Sequence, residues 1–269
     1  MNLIMNNPKI SIVLCSIDRQ EVLERCLKSI REQTFQDYEL ILCQEKGNLV
    51  ELKDKGWRQA KGDIIVWCDD DIVAEPNWLE NIVTIFDTRK DVVGITGPTY
   101  VPSEYLKNRD VFRKGLIKNL YNWFFLENQQ LYPGRITPCG ANTYGGDFPT
   151  SLSSKPYEVD FLQPAQFAMR RWVVEKVDGF DLSYIGVAEW CDVDLCYRIK
   201  SYGKLIYHPE VKVFHYPITD VTTNKRLETK SRYDNYCRFA DRYVKYGIKH
   251  RLYRLFLWTY YKLKGWRLI

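Results

Sequence analysis

Apolar residues follow two rhythms between residues 9 and 97. Short continuous runs, KISIVLC at 9–15, Glu39–Cys43, DIIVWC at Asp63–Cys68 and Val92–Thr96, alternate with longer stretches in which apolar positions recur every three or four residues. The runs predict buried strands and the recurrent stretches predict amphipathic helices. Asp18 opens the first helix, with Glu21 as a capping-box partner and Val22, Leu23, Cys26, Leu27 and Ile30 on one face. A second helix is expected over 49–61. A third starts at Pro76 and turns Trp78, Leu79, Ile82, Val83 and Phe86 inward. Strands that are apolar on both faces and alternate with helices imply an α/β fold with a parallel sheet covered on both sides. Ligands bind such sheets at the carboxyl ends of strands. The informative segments are therefore Ser16–Arg19, Gln44–Lys46 and Asp69–Asp71.

The rhythm changes beyond residue 97. Residues 98–160 are rich in Pro, Gly, Asn and aromatics and include CGANTYGGDFP at 139–149, the character of a functional insertion. A strand is expected at 165–170, a short helix from Arg171, a DGFD turn at 178–181 and a helix near 191–202. Two short strands follow at Leu205–Tyr207 and Val211–His215, then helix from 225 with a break near Gly247. No repeat or flexible linker occurs. The expected organisation is one domain over 1–224, with halves at 9–97 and 98–224, and a helical tail over 225–269.

Composition narrows the class. The 269 residues are 45% hydrophobic and 27% charged, ordinary globular usage that excludes disordered, collagen-like and coiled-coil chains. No apolar run reaches the ~18–20 residues of a membrane-spanning helix, and the N-terminus has no secretory pattern, so a cytoplasmic protein is expected. The eight cysteines include no C-x-x-C pair; Cys15, Cys43 and Cys68 end apolar runs and Cys26 falls on a helix face, as free buried thiols do. The net charge of +5 is unevenly spread: residues 225–269 hold 13 Lys/Arg against 3 Asp/Glu, together with 11 aromatics. That balance points the tail at an anionic surface. Its last part, HRLYRLFLWTYYKLKGWRLI, suits a helix lying in a membrane interface. A helix packed back on the domain is the alternative. The aromatics follow no nucleic-acid-binding motif, so no nucleic acid is expected.

Asp69, Asp70 and Asp71 directly follow a buried strand. Adjacent carboxylates repel unless solvated or bound to a cation, and alternate residues at a strand end can face one ligand, so Asp69-x-Asp71 can hold Mg²⁺ or Mn²⁺ with a diphosphate. A solvated loop is the competing reading. An EF-hand is excluded because Ala74 stands where Gly is needed and Pro76 breaks the loop. Glu189, Asp192 and Asp194 form a second acidic group, in which one Asp of the last two faces a cleft and the other caps; Arg198 can pair with Asp194. His215 ends an apolar strand. P-loop, dinucleotide and nucleophile-elbow motifs do not occur.

ISIVLCSIDR, LKSIREQTFQDYELILCQE and AKGDIIVWCDDDIVAEPNWLE, followed by AMRRWVVEKVDGFD, EWCDVDLCYRIKSYG and HPEVKVFH, make residues 9–216 resemble the family 2 glycosyltransferases. The resemblance implies a Rossmann-like nucleotide-sugar-binding domain of the glycosyltransferase A type. By position it implies that Asp70 and Asp71 contact the ribose and hold the metal, with Asp69 as the first acid of the D-x-D. Cys15, Ser16, Ile17, Arg19, Glu45 and Lys53 are implied to line the nucleotide-sugar site, Glu45 reading the base. Asp192 falls on the general base with Glu189 as a rival, and His215 falls near the metal. The chain departs from the pattern at Cys15, Ile17-Asp18, Gln44-Glu45 and Cys191, where Thr or Pro, Tyr-Asn, an Asp pair and Glu are usual. The Q-x-x-R-W of processive synthases is absent.

The implied function is a Mn²⁺- or Mg²⁺-dependent inverting transfer of one sugar from a nucleotide diphospho-sugar, UDP first among nucleotides. The acceptor is a glycan or lipid-linked hydroxyl, with the 139–149 loop and Gln163–Gln166 shaping its pocket. The chain is expected at the inner face of a membrane as a peripheral protein. The rival readings are a sugar nucleotidyltransferase and a non-catalytic relative that binds a membrane or a partner.

Overall fold

The predicted strands at 9–15 and 63–68 are dry on both faces, and the two faces bury different helices, whereas Leu40 and Leu42 of the edge strand stay partly exposed. The structure, a computed structural model, describes residues 7–17, 19–45, 47–106, 115–143, 153–186, 188–216 and 229–266. Ile10, Ile12 and Leu14 of β1 (Ile10–Cys15) and Ile64, Val66 and Cys68 of β3 (Ile64–Asp69) pack against α1 (Gln20–Arg31) and α3 (Trp78–Thr88). Val13, Ile65 and Trp67 face the other way, toward α2 (Leu49–Gln59), α6 (Arg171–Lys176) and α7 (Cys191–Ile199). The alternation is the strand period of two, with apolar side chains at every position because neither face meets water.

These strands belong to a seven-stranded sheet with β2 (Tyr38–Cys43), β5 (Val92–Thr96), β7 (Tyr157–Glu158), β8 (Gln166–Arg170) and β9 (Lys204–Tyr207), in the order β2-β1-β3-β8-β5-β9-β7. β1 pairs in parallel with β2 and β3, and β5 with β9. β8 is antiparallel to both of its neighbours, β3 and β5, and β7 is antiparallel to β9. The sheet is thus mainly parallel, as expected, with one reversed strand at its centre. That strand carries Phe167, which stacks on Trp67 of β3 at 5.0 Å between ring centroids.

A second, three-stranded sheet joins β4 (Ile72–Ala74), β10 (Val213–His215) and β6 (Thr99–Tyr100), with β10 in the middle. It brings His215 opposite Ile72, just past the acidic run. Two expected boundaries shift. The third helix begins at Trp78, because the Pro76 carbonyl is taken by Thr34 N at 2.8 Å. Asp18 lies outside the described residues. The first helix is preceded by Arg19, which makes no capping bond. The DGFD turn forms as expected: Gly179 has φ +70° and packs against Trp57 and Asp54, where a Cβ would collide.

The tail helices are α8 (Thr229–Tyr243) and α9 (Ile248–Trp266). Phe239 of α8 joins the core beside α7, while Tyr236, Tyr253 and Leu257 bury against Leu126, Cys139 and Ala141. His250 Nδ1 lies 3.0 Å from the Cys139 carbonyl. The basic, aromatic tail is therefore partly interior, although Leu252, Leu255, Trp258 and Leu263 remain exposed. Two short helices, α4 (Ser103–Leu106) and α5 (Leu116–Phe124), lie in the irregular stretch; α5 has no buried residue. Residues 144–149 of the expected acceptor loop fall outside the described residues. All eight cysteines are free, six of them buried.

Gly97 joins β5 to the segment leading into β6. A Cβ there would stand 2.0 Å from the Val211 carbonyl oxygen and 2.6 Å from that of His208. Both obstacles are backbone, so Gly97→Ala must displace the strand that ends in His215. We expect a loss near or above the upper end of the usual ~0.5–3 kcal/mol for point mutations. Urea unfolding measures it, and an unchanged midpoint contradicts the packing described.

Candidate active site

The carboxyl ends of β1, β2 and β3 meet at one edge of the sheet, where Cys15 pairs with both Cys43 and Asp69 in register. There the chain must house three successive carboxylates. Ser16 Oγ donates to Asp70 Oδ2 at 2.6 Å. Arg19 reaches back from the start of α1 with one nitrogen 2.6 Å from Asp70 Oδ1 and another 2.6 Å from Asp71 Oδ2. His215 Nε2 approaches Asp71 Oδ1 at 3.1 Å, and Tyr216 N donates to the Asp71 carbonyl at 2.9 Å. Burial works to raise the Asp71 pKa, but His215 and Arg19 outweigh it and hold the group at about 2. Asp69 is different. Burial, then the neighbouring Asp71 charge, pushes it up to about 6 against the pull of Lys53 and His215.

The second acidic group is sorted by burial. Asp192 sits in the first turn of α7, where both oxygens take hydrogen bonds from Lys53 Nζ of α2, at 2.9 and 3.1 Å. Both side chains are more than nine-tenths buried. Burial opposes the Lys53 charge, but Asp192, then Cys191 and Asp69, raise its pKa well beyond the usual lysine range. Asp194 is fully buried and serves the fold: it accepts from Tyr184, Arg198, Arg242 and Tyr243. Glu189 pairs with Arg232 of α8 at 2.5 Å. Trp190 between them has φ 77°, an uncommon conformation for a residue with a Cβ, and its ring packs on Phe239 at 4.9 Å and Tyr236 at 5.3 Å. This turn starts α7 abruptly and fixes the direction in which Asp192 leaves it.

The structure thus gathers Ser16, Arg19, Asp70, Asp71 and His215 into one cluster. Lys53 links the strand-end acids to Asp192. Cys15 and Ile17 line the same edge against the core. The Cys15 thiol is raised and that of Cys43 lowered to about 7 by the hydrogen bond between them, the first cause in each case. Glu45 stands apart on the surface, paired with Lys55 at 2.6 Å. Gln166 is structural: it accepts from Trp78 Nε1 and donates to the Val211 carbonyl. Gln163 accepts from Thr99 Oγ1 at 2.7 Å. Sequence reasoning missed the Lys53–Asp192 pair. Its trace was a lysine among Val50, Leu52 and Trp57 on the buried face of α2, a place that charge occupies only when paired.

Asp71 and His215 offer an oxygen and an imidazole nitrogen to a cation, a donor set that suits Mn²⁺. Among the described residues no three His, Cys, Asp or Glu side chains close around one point. A cation here would complete its shell with outside ligands, as divalent ions that share substrate phosphates do.

Residues 43–146 match the family described as Glycosyl transferase family 2. That match spans under half of the chain. A curated relative, the glucosyl-dolichyl phosphate glucuronosyltransferase of Haloferax volcanii, is 25% identical over 132 residues. That match covers 39% of this chain and 42% of the relative, so the chain spans under half the length of the relative it matches. Two solved structures share the fold of this chain. One is the mannosyltransferase PcManGT from Pyrobaculum calidifontis in complex with GDP-Man and Mn²⁺: TM-score 0.55, 13% identity, 96% of this chain and 70% of that one. The other is GalNAc-T7 with UDP, GalNAc and Mn²⁺: TM-score 0.58, 13% identity, 88% of this chain and 48% of that one. These likenesses show the A-type glycosyltransferase fold.

Two predictions test the electrostatics. Replacing one partner of a buried pair leaves the other uncompensated, so Lys53→Met and Asp192→Asn should each destabilise the fold. The double variant should lose less than the sum, by a coupling of ~0.5–3 kcal/mol in urea unfolding. Strict additivity would deny the pair. Asp69 gives a pH test. Its folded pKa of about 6 lies above the ordinary 3.8. The folded state therefore keeps this proton longer, and ionising it costs stability; the cost is absent below about pH 4 and complete above about pH 6. Asp69→Asn should raise the melting temperature at pH 7.5 in EDTA and leave it nearly unchanged at pH 4. A variant no more stable than the parent at pH 7.5 contradicts the assignment.

Proposed function

We propose that this chain is a divalent-metal-dependent, inverting glycosyltransferase that moves one sugar from a nucleotide diphospho-sugar to a hydroxyl of a glycan or lipid-linked acceptor. The observation that carries the reading is the placement of two acidic centres on one sheet edge, one tied by Arg19 and His215 and the other by Lys53. The Mn²⁺-bound neighbours of the same fold support it, as does a relative whose name includes a dolichyl phosphate.

In this reading Ser16, Arg19 and Asp70 orient the nucleotide at the end of β3, and Asp71 with His215 holds the cation. Bound there, the cation would offset the charge of the departing diphosphate. The acceptor oxygen attacks the anomeric carbon from the side opposite the diphosphate. The carbon–oxygen bond to phosphate breaks with its electron pair, and Asp192 takes the acceptor proton. In the structure Lys53 holds both Asp192 oxygens, so at least one must be released first. A diphosphate arriving between the acidic centres gives Lys53 a second anion to serve. Glu189, engaged by Arg232 as Asp192 is by Lys53, stays the rival base; Asp192 is preferred for its position in the pattern the chain resembles. UDP stands first among the nucleotides and Glu45 remains the base-reading candidate. The basic tail supports a cytoplasmic, peripheral position at a membrane that carries the acceptor. No helix among the described residues is long and apolar enough to cross a membrane.

A thermal-shift screen of nucleotide sugars with and without Mn²⁺ identifies the donor, since a ligand that binds only the native state raises apparent stability. Silence across all nucleotide sugars would sink the reading. With the donor known, Asp192→Asn should lower turnover by ~10²–10⁴-fold and leave the donor shift intact. Asp71→Asn should lower turnover and the Mn²⁺-dependent shift together. Full activity of the unmodified chain in excess EDTA removes the metal role. Loss of turnover in Glu189→Gln with near-normal turnover in Asp192→Asn reverses the choice of base.

A further inference from the structure

α5 bears an apolar face that nothing among the described residues covers. Leu116 is 85% exposed and Ile117 83%, and Leu120 and Trp123 are each more than half exposed. Their spacing puts all four on one side of the helix. The other side packs: Tyr121 meets Phe256 of α9 at 5.2 Å between ring centroids, and Phe125 meets Tyr253 at 5.1 Å. Phe256 is itself exposed at its outer edge, and Leu252, Leu255 and Leu263 continue the exposed apolar surface along α9. The apolar face therefore runs from one helix onto the other across the Tyr121–Phe256 contact.

Its borders are cationic. Arg251 and Lys262 are exposed on α9, and Lys262 lies 4.1 Å from the Trp258 ring centroid. α5 adds Lys118, and neither helix contains an Asp or Glu. Apolar side chains ringed by aromatics and cations match the layers of an anionic bilayer: acyl chains, then headgroups, then charge. A second copy of the chain is a poorer occupant, because a twofold contact through the same patch would bring like charges together. A nucleic acid would leave the leucines without apolar contact.

We propose that α5 and the outer side of α9 form one membrane-insertion surface for an anionic bilayer, with Leu116, Ile117 and Leu120 as its apolar wedge. The inference deepens the membrane-borne acceptor of the proposed function and rests on that reading for its purpose. The path to the chemistry is short. Tyr253 of α9 packs on Tyr236 of α8 at 5.4 Å, Tyr236 packs on Trp190, and Trp190 opens the helix of Asp192. A chain seated through this face holds that helix three packed aromatic side chains from the outer side of α9.

The test uses the full chain and vesicles of phosphatidylcholine with or without phosphatidylglycerol. Deleting 250–269 would strip Tyr253 and Leu257 from the interior, so point variants of exposed residues are used. The parent should sediment with phosphatidylglycerol vesicles, less as salt rises. The triple variant Leu116→Asn, Ile117→Asn, Leu120→Asn should bind them ~10-fold or more weakly while melting at the parent's temperature. Arg251→Gln with Lys262→Gln should lose about fivefold per charge removed. Vesicle addition should blue-shift the tryptophan emission of the parent more than that of Trp123→Phe. Triple-variant binding equal to the parent's overturns the proposal. So does a parent that ignores vesicles, or one that dimerises through this patch and loses the dimer in the triple variant. The nucleotide-sugar thermal shift, read on the same samples without vesicles, reports separately on the glycosyltransferase reading.

Discussion

Three carboxylates in a row cannot end a buried strand unless positive charge meets them there. Much of this fold is arranged to supply it. Arg19 comes from the turn after β1 and His215 from the middle strand of the small sheet, while Lys53 of α2, bonded to Asp192, acts on Asp69 through its charge alone. Each is distant in sequence from residues 69–71, so the acidic run serves as a meeting point for three parts of the chain. Its neutralisation is uneven. Asp71 is held strongly ionised, while Asp69 is strained toward its neutral form. A site with that imbalance has a standing affinity for further positive charge, the electrostatic condition for recruiting a metal-bound anion.

The pairing of Lys53 with Asp192 extends the same logic across the cleft. A buried ion pair contributes little net stability compared with apolar packing, but it fixes geometry, and breaking it is costly. Here it holds the first turn of α7 against α2, while Trp190 in its left-handed backbone sets the helix start. The two acidic centres are thereby registered to each other through one lysine rather than through a loop.

The layered α/β architecture was legible because it depends on periodicity: KISIVLC, DIIVWC and the faces of α1 and α3 read directly as strands and helices with both sheet faces covered. Strand ends then pointed to Ser16, Arg19 and Asp69–Asp71. Contacts that depend on tertiary closure were not legible. Arg19 on the acids, Lys53 on Asp192 and Glu189 on Arg232 join residues 40 or more positions apart, and no local pattern encodes their meeting. Asp192 and Asp194 looked alike as helix-start acids, and both are buried; their partners separate them, Lys53 for Asp192 and two tyrosines and two arginines for Asp194. The tail read first as surface-seeking, with packing on the domain as the alternative; Tyr236, Phe239 and Tyr253 lie inside, because composition alone does not say which side of an aromatic helix finds a partner.

The reversed strand β8 also bears on how the chain is made. β1, β2 and β3 are in place within the first 69 residues, but the edge of β3 waits for residues 166–170 to fill it, and β5 waits on the same segment. Until then two hydrophobic strands expose unpaired backbone, the condition that favours association between nascent chains. A ribosome adding about 5–20 residues per second leaves that gap open for several seconds. Closure of the sheet is thus a late, long-range event, and Asp192, which follows β8 in the chain, can join the strand-end acids only after the N-terminal strands already exist.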